Sequence, residues 1–192
     1  VCYHILKSKV SQTDAGCRVT GKPGPHIGRR AEQISYLGDR STMRGGYWAF
    51  CRDRGSGSCP VKSEIFAVLD SIPGQEKFLA KATWDRLVKG AERGRLRMGE
   101  KADVAVIQRV PDLLELRVQV NPQHSDVGKR YLLRLYFAEP PHHDRLLLAL
   151  KFGRKPSAGD PAGRQDMHIN QARHRYEDGA VNDYAWGIRL EC

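Results

Sequence analysis

The chain has 192 residues, of which 40% are hydrophobic and 28% are charged, and its formal net charge at pH 7 is +10. This length and composition are ordinary for a soluble protein with one globular domain and a sizeable core. The positive charge favours a polyanionic partner, which would be nucleic acid, the ribosome or an acidic protein.

The first 42 residues differ from the rest of the chain. They lack a sustained hydrophobic period and are interrupted by Gly and Pro, and the first methionine is Met43. We therefore predict a poorly ordered extension over residues 1–42 and a folded domain over residues 43–192. A basic RNA-binding arm is the alternative interpretation of the extension.

The folded domain begins with a strand and two helices. The aromatic-rich residues 46–52 predict the strand, and apolar residues at helical spacing predict helices over 60–72 and 76–94. Pro60 stands where a helix start tolerates proline, and Gly94 is a helix stop signal. Because the turn between the helices is short, we expect them to pack as an antiparallel hairpin.

Three strands and a helix follow. Apolar and polar residues alternate over 113–120 and 131–139, and residues 145–153 are apolar at nearly every position, as in a central strand. Hairpin-length loops between them predict an antiparallel meander. Asp160 and Pro161 are start signals for a last helix that ends near Gly179. The fold class is therefore α+β, with a small curved antiparallel sheet, the helical hairpin on one face and a C-terminal helix.

Cations are expected to gather on one face of this sheet. Because residues two apart in a strand share a face, Arg117, Arg134 and Lys151 are predicted to lie together, away from the helices. Lys151 is assigned to this face because it has the opposite parity to the apolar residues Leu146, Leu148, Leu150 and Phe152. Unpaired, the three cations would repel one another, and an anionic ligand would relieve that repulsion. The alternative is the ordinary solvated face of an antiparallel sheet.

Further basic residues follow the last strand. Arg154 and Lys155 continue the positive charge past the strand, and the last helix adds Arg164, His168, Arg173 and His174. Neither a disulfide framework nor a zinc ribbon is indicated, because the number of cysteines, five, is odd and they include no CxxC pair. We expect reduced thiols in a cytoplasmic protein, with no metal site and no cofactor. We also expect no membrane partner, because no apolar run is long enough to span a bilayer and no signal peptide is evident.

Residues 46–178 resemble the RelE/ParE superfamily of bacterial toxins, in its HigB-like, phage-derived branch. The motifs are PVKSEIFAVLD, LLELRV, RYLLRLYFAE, LLLALKFGRKP and QDMHINQARHRYED, in this order. The resemblance implies a type II toxin that enters the ribosome and cleaves mRNA without a metal. It also implies a cognate antitoxin, whose complex with the toxin would contact promoter DNA through the antitoxin.

The resemblance and the chemistry of RNA cleavage together suggest site residues. Catalytic candidates are Arg117, Arg134, Lys151, His174 and Tyr176, and RNA-binding candidates are Arg154, Lys155, Arg164, His168 and Arg173. Cleavage by the 2′-OH of RNA needs a proton acceptor, cations on the phosphorane and a proton donor. Arginines suit bidentate phosphate contact and lysines act as point charges. Either His168 or His174 could exchange protons near neutral pH, and Asp183 and Tyr184 are weaker candidates.

Two other functions fit the same residues. The fold could bind and poison DNA gyrase without nuclease activity, as ParE-like members do, or it could be an inactive homologue that only binds nucleic acid. The expected cation trio favours the nuclease, since gyrase poisoning does not require it.

Overall fold

The computed structural model describes residues 43–53, 55–120, 131–141, 143–155, 163–181 and 186. In chain order the elements are β1 (Tyr47–Phe50), α1 (Pro60–Asp70), α2 (Gly74–Glu92), β2 (Val104–Val106), β3 (Leu114–Val120), β4 (Tyr131–Ala138), β5 (Leu146–Lys155) and α3 (Arg164–Val181). The predicted strand, two helices, three strands and helix occur in the predicted order, and one further strand, β2, precedes the three. β2 was not predicted, because three residues are too few to show a period. The extension over 1–42, the helix start at Asp160 and Pro161, and Asp183 and Tyr184 lie outside the described residues.

The five strands form one open, mixed sheet. Their order across the sheet is β1-β5-β4-β3-β2, and β3, β4 and β5 form the predicted antiparallel meander. β1 runs parallel to β5, with Tyr47 opposite Leu146. The expectation of a purely antiparallel sheet is therefore wrong at β1. No local turn signal encodes this pairing, since the two strands are about 100 residues apart in the sequence.

The helices cover both faces of the sheet. On one face α1 and α2 bury Val61 and Leu87 against a core that includes Leu116 and Leu135. On the other face α3 buries Ile169, Ala172 and Tyr176. These pack with residues of β4 and β5 in a second core cluster. The second face, which was expected to carry no helix, is therefore covered by α3, because it holds enough apolar residues to bury a helix stripe.

One large side chain determines which face of α2 is buried. The sequence analysis predicts a hairpin helix over 76–94, and its buried positions are Ala80, Trp84, Leu87 and Ala91, spaced four, three and four residues apart. Trp84 fixes this rotation, because its ring packs edge-on against Phe152 with the ring centroids 5.0 Å apart. Leu79 is consequently left 41% exposed.

A β-bulge in β5 changes which side chains share a face. Tyr136 is opposite Lys151 and Phe137 is opposite Ala149, so Leu150 has no partner position on β4. Leu146, Leu148 and Leu150 face α3, whereas Phe152 faces α1 and α2. The predicted parity is therefore wrong at Lys151, which lies on the same face as Leu150. The predicted grouping is nevertheless found. Because Leu150 is an extra residue in β5, Lys151 lies on the same face of the sheet as Arg117 and Arg134.

Within the described part of the chain, none of the helices is both long and apolar enough to cross a bilayer.

Candidate nucleic-acid interface

Two neighbouring rows of residues cross three strands on the α3 face. Arg117, Arg134 and Gly153 form one row, and Glu115, Tyr136 and Lys151 form the next, as the strand register requires. We call these six residues the polar belt. Beyond the belt the next row on this face is Gln119, Leu132 and Lys155, so the belt separates the apolar core under α3 from the more open end of the sheet.

Glu115 holds the two arginines of the belt. Its Oε1 atom lies 3.0 Å from Nε of Arg117 and 2.8 Å from Nε of Arg134. Gln165 of α3 donates to Glu115 Oε2 at 3.2 Å, and Arg117 also donates to the carbonyl of Glu100. This buried carboxylate therefore fixes the guanidinium of Arg117, whose side chain is 23% exposed.

Arg134 occupies the interior of the belt. Its side chain is 6% exposed, and this burial lowers its pKa, while the charge of Glu115 opposes that shift. A guanidinium enclosed in this way does not reach a ligand in solution. Arg134 instead compensates the charge of Glu115 from inside the protein. Of the two arginines paired with Glu115, Arg117 is therefore the more accessible.

Lys151 is held at the other end of the belt by a carboxylate from α1. Beyond Ala149, β5 continues past its pairing with β1, and side chains satisfy its outer edge. Glu64 Oε2 accepts from the backbone N–H of Phe152 at 2.9 Å, and Arg175 donates to the carbonyl of Leu150 at 2.6 Å. Glu64 Oε1 lies 2.8 Å from Lys151 Nζ and 2.9 Å from Arg175. The Glu64–Arg175 pair thus replaces a neighbouring strand at the bulge.

His168 lies over the middle of the belt because Gly153 lacks a side chain. A Cβ atom at Gly153 would lie 2.4 Å from Cε1 of His168. The imidazole is also near the ring of Tyr136, with the centroids 6.3 Å apart. Among the predicted RNA-binding residues, His168 is therefore the one that the fold brings directly onto the belt.

The remaining predicted residues are distributed away from the belt. Tyr176 is 8% exposed and stacks on Trp186, whose Nε1 donates to its carbonyl, so it belongs to the core. His174 is exposed on α3, and Arg173 pairs with Glu177 at 2.7 Å. Arg164 is exposed at the start of α3, and Lys155 is half-buried on the belt face. Arg154 is exposed and in register with Leu133, which places it on the α1/α2 face.

A cleft of about 380 Å³ adjoins the Arg117 end of the belt. Its lining residues come from β2 and the segment that follows it, from β3 and from the first turns of α3: Ala105, Val106, Ile107, Gln108, Arg109, Glu115, Arg117, Gln165, Asp166 and Ile169. At its rim Arg109 and Asp166 form an ion pair at 2.5 Å. This hydrogen bond raises the pKa of Arg109 and lowers the pKa of Asp166.

Several residues that organise this site are not marked by any pattern in the sequence. Four of these residues interact with partners that are distant in the sequence: Glu64, Arg109, Gln165 and Arg175. Hydrophobic periodicity does not indicate which distant side chains will pair. The sequence shows that the chain is rich in basic residues, but not which of them belong to the site. Among the described residues, no group of three or more His, Cys, Asp or Glu side chains is arranged to hold a metal ion.

Comparison with known proteins gives no relative. No protein-family model matches the chain, no curated protein matches it, and no solved structure matches it. The HigB-like assignment and the RelE-like arrangement accordingly stay predictions.

Proposed function

We propose that the protein is the toxin of a type II toxin-antitoxin pair and an endoribonuclease that cleaves mRNA on the ribosome. The observation that carries this proposal is the polar belt, in which Glu115 presents the guanidinium of Arg117 beside an open cleft. The motif resemblance and the net charge of +10 support the same assignment. The proposed partners are a cognate antitoxin, the ribosome and mRNA, with promoter DNA contacted through the antitoxin, and the proposed compartment is the cytoplasm.

In this proposal Arg117 binds the scissile phosphate and stabilises the charge that develops on it. Its fixed position supports that role, because a donor held in place by a buried carboxylate costs little reorganisation when the transition state forms. Arg134 and Lys151 act as positioning residues, since Glu115 and Glu64 engage them within the protein. Lys155 and Arg164 supply the surrounding positive charge that attracts RNA.

His168 is the proposed proton-transfer residue. It lies on the belt beside Tyr136, whereas His174 is on the exposed side of α3 and Tyr176 is enclosed by Trp186. An imidazole nitrogen can accept a proton from the 2′-OH or donate one to the leaving oxygen.

A non-catalytic nucleic-acid-binding protein is the second candidate. The observation in its favour is that Glu115 and Glu64 already pair the three belt cations within the protein. Internal pairing lessens the repulsion that an RNA phosphate would otherwise relieve. This candidate predicts RNA binding by the isolated protein with no cleavage in cells.

The test is induction of the protein in growing cells, followed by mapping of mRNA 5′ ends. The proposal expects discrete cleavages inside translated regions, and Arg117→Ala should reduce them by about 100-fold, the usual effect of losing one transition-state contact. Lys77→Ala is the control, because it removes an exposed cation that is ion-paired with Asp70 on the opposite side of the sheet. Intact mRNA accompanied by a DNA-damage response would instead support gyrase poisoning. Intact mRNA with growth unaffected would support the binding protein.

A further inference from the structure

The cleft beside Arg117 combines an apolar floor with charged groups at its rim. Ala105, Ile107 and Ile169 are buried and contribute to the lining. Arg109 and Arg117 also line the cleft. The volume of about 380 Å³ lies within the range that small-molecule sites occupy.

The charges of the lining argue against a simple anion-binding patch. Arg109 and Arg117 are accompanied in the lining by Glu115 and Asp166, so the formal charge of these four residues is 2 − 2 = 0. A bare phosphate would gain from the arginines and be repelled by the carboxylates. A ligand with an apolar, planar part next to its phosphate would also gain from burial against the floor. A nucleotide has this combination.

Arg109 and Asp166 form an ion pair that a ligand can exchange. Their side chains are 45% and 63% exposed, and exposed ion pairs contribute little to stability. A phosphate can therefore replace Asp166 as the partner of Arg109 at a small cost in free energy, and it can form a bidentate contact with the guanidinium. Glu115 cannot be displaced from Arg117 so readily, because it is buried and also holds Arg134.

We infer that this cleft binds one nucleotide of the RNA, with the base against Ala105, Ile107 and Ile169 and the phosphate between Arg109 and Arg117. The inference rests on the proposed function, since it names the part of an RNA substrate that the cleft holds. Gln165 and Gln108 line the same cleft and supply amide donors and acceptors for the edge of the base. Asp166 acts as an internal competitor of the phosphate for Arg109.

The experiment is a calorimetric titration of the full chain with the four ribonucleoside 3′-monophosphates, the four nucleosides and inorganic phosphate. The nucleotides should bind more tightly than either inorganic phosphate or the nucleosides. Arg109→Ala should weaken nucleotide binding by about 10-fold to 100-fold, the range for losing one charge-assisted hydrogen bond. Asp166→Asn should strengthen binding, because it removes the competitor.

Lys77→Ala and Asp70→Asn are the matched controls. This ion pair has the same 2.5 Å separation, and its side chains are 42% and 66% exposed, close to the values of Arg109 and Asp166. Neither control should change nucleotide affinity, although each alters the net charge as its counterpart does.

Three results would overturn the inference. Inorganic phosphate could bind as tightly as the nucleotides, the affinities of Arg109→Ala and Lys77→Ala could be equal, or Asp166→Asn could weaken binding. Mapping of mRNA ends with the wild-type protein separates this inference from the proposed function. Cleaved mRNA without Arg109-dependent nucleotide binding would refute the cleft assignment alone. Nucleotide binding with intact mRNA would refute the nuclease and retain the site.

Discussion

Replacing Glu64 with alanine tests whether the edge of β5 is held as the structure indicates. The change removes the acceptor of the Phe152 N–H and the shared counter-charge of Lys151 and Arg175. A buried N–H that loses its acceptor costs about 1–3 kcal/mol. Breaking a fully buried ion pair from one side costs about 3–5 kcal/mol.

The expected loss for Glu64→Ala lies below the sum of these two values. The side chains of Glu64, Lys151 and Arg175 are 18%, 12% and 24% exposed, so water partly replaces the missing carboxylate. We therefore expect a loss of about 2–4 kcal/mol in the free energy of unfolding. The whole free energy of unfolding of a globular domain is about 5–15 kcal/mol, so this loss would be a large fraction of it.

Urea denaturation measures this loss. With a slope of about 2 kcal/mol per molar urea, the middle of the usual range, the midpoint should fall by roughly 1–2 M while the slope stays constant. Glu64→Gln keeps an oxygen for the Phe152 N–H and should lose about half as much stability. Asp70→Ala, which removes one side of an exposed ion pair, should cost less than about 1 kcal/mol. A Glu64→Ala midpoint within error of the Asp70→Ala midpoint would refute the role assigned to this edge.

Three further predictions concern the belt and the core. Gly153→Ala should destabilise the protein by about 1–3 kcal/mol, because the new Cβ would overlap the His168 ring, and adding His168→Ala should restore most of the loss in urea denaturation. Glu115→Met should cost more than Arg134→Met in the same assay, because it leaves two cations without their carboxylate, one of them buried; equal costs would contradict the pairing. Burial raises the pKa of Cys51 to about 11 from an ordinary 9.0, so its contribution to stability is complete below pH 9 and is lost as the pH rises through 11. Stability curves from pH 8 to 11 should therefore decline more for the wild type than for Cys51→Ala, and parallel curves would refute this.

The parts of the fold that follow from local pattern were predictable. Alternation over 113–120 and 131–139 predicts the strands, and the side-chain period of two predicts that Arg117 and Arg134 share a face. The register places them directly opposite each other. Apolar spacing gives the three helices. What the sequence could not give was the position of α3. Its apolar stripe fits either face, and only the total apolar area of the two faces decides between them.

The site was less predictable than the fold because carboxylates, rather than the cations alone, determine it. Arg117, Arg134 and Lys151 could be grouped from strand parity, but the parity of the strands does not show which carboxylates pair with them. Glu64 was not considered, since it lies in a helix 87 residues before Lys151. The bulge in β5 could not be predicted either, because the side chains that hydrogen-bond to its backbone come from two different helices.

The distribution of exposure along the belt explains why we assign the chemistry to its Arg117 end. With Arg175, the belt has four cations against two carboxylates, Glu64 and Glu115, which leaves a net charge of 4 − 2 = +2. The middle is enclosed, and the more exposed cations are the terminal guanidiniums of Arg117 and Arg175, at 23% and 24%. Arg175 is committed to the backbone of β5 through the Leu150 carbonyl, so releasing it for a ligand would expose an unpaired strand edge. Arg117 donates to the carbonyl of Glu100, which lies in a turn, so moving its guanidinium leaves no strand edge unpaired. Arg117 also adjoins the cleft, so an RNA phosphate that binds the belt should bind it there.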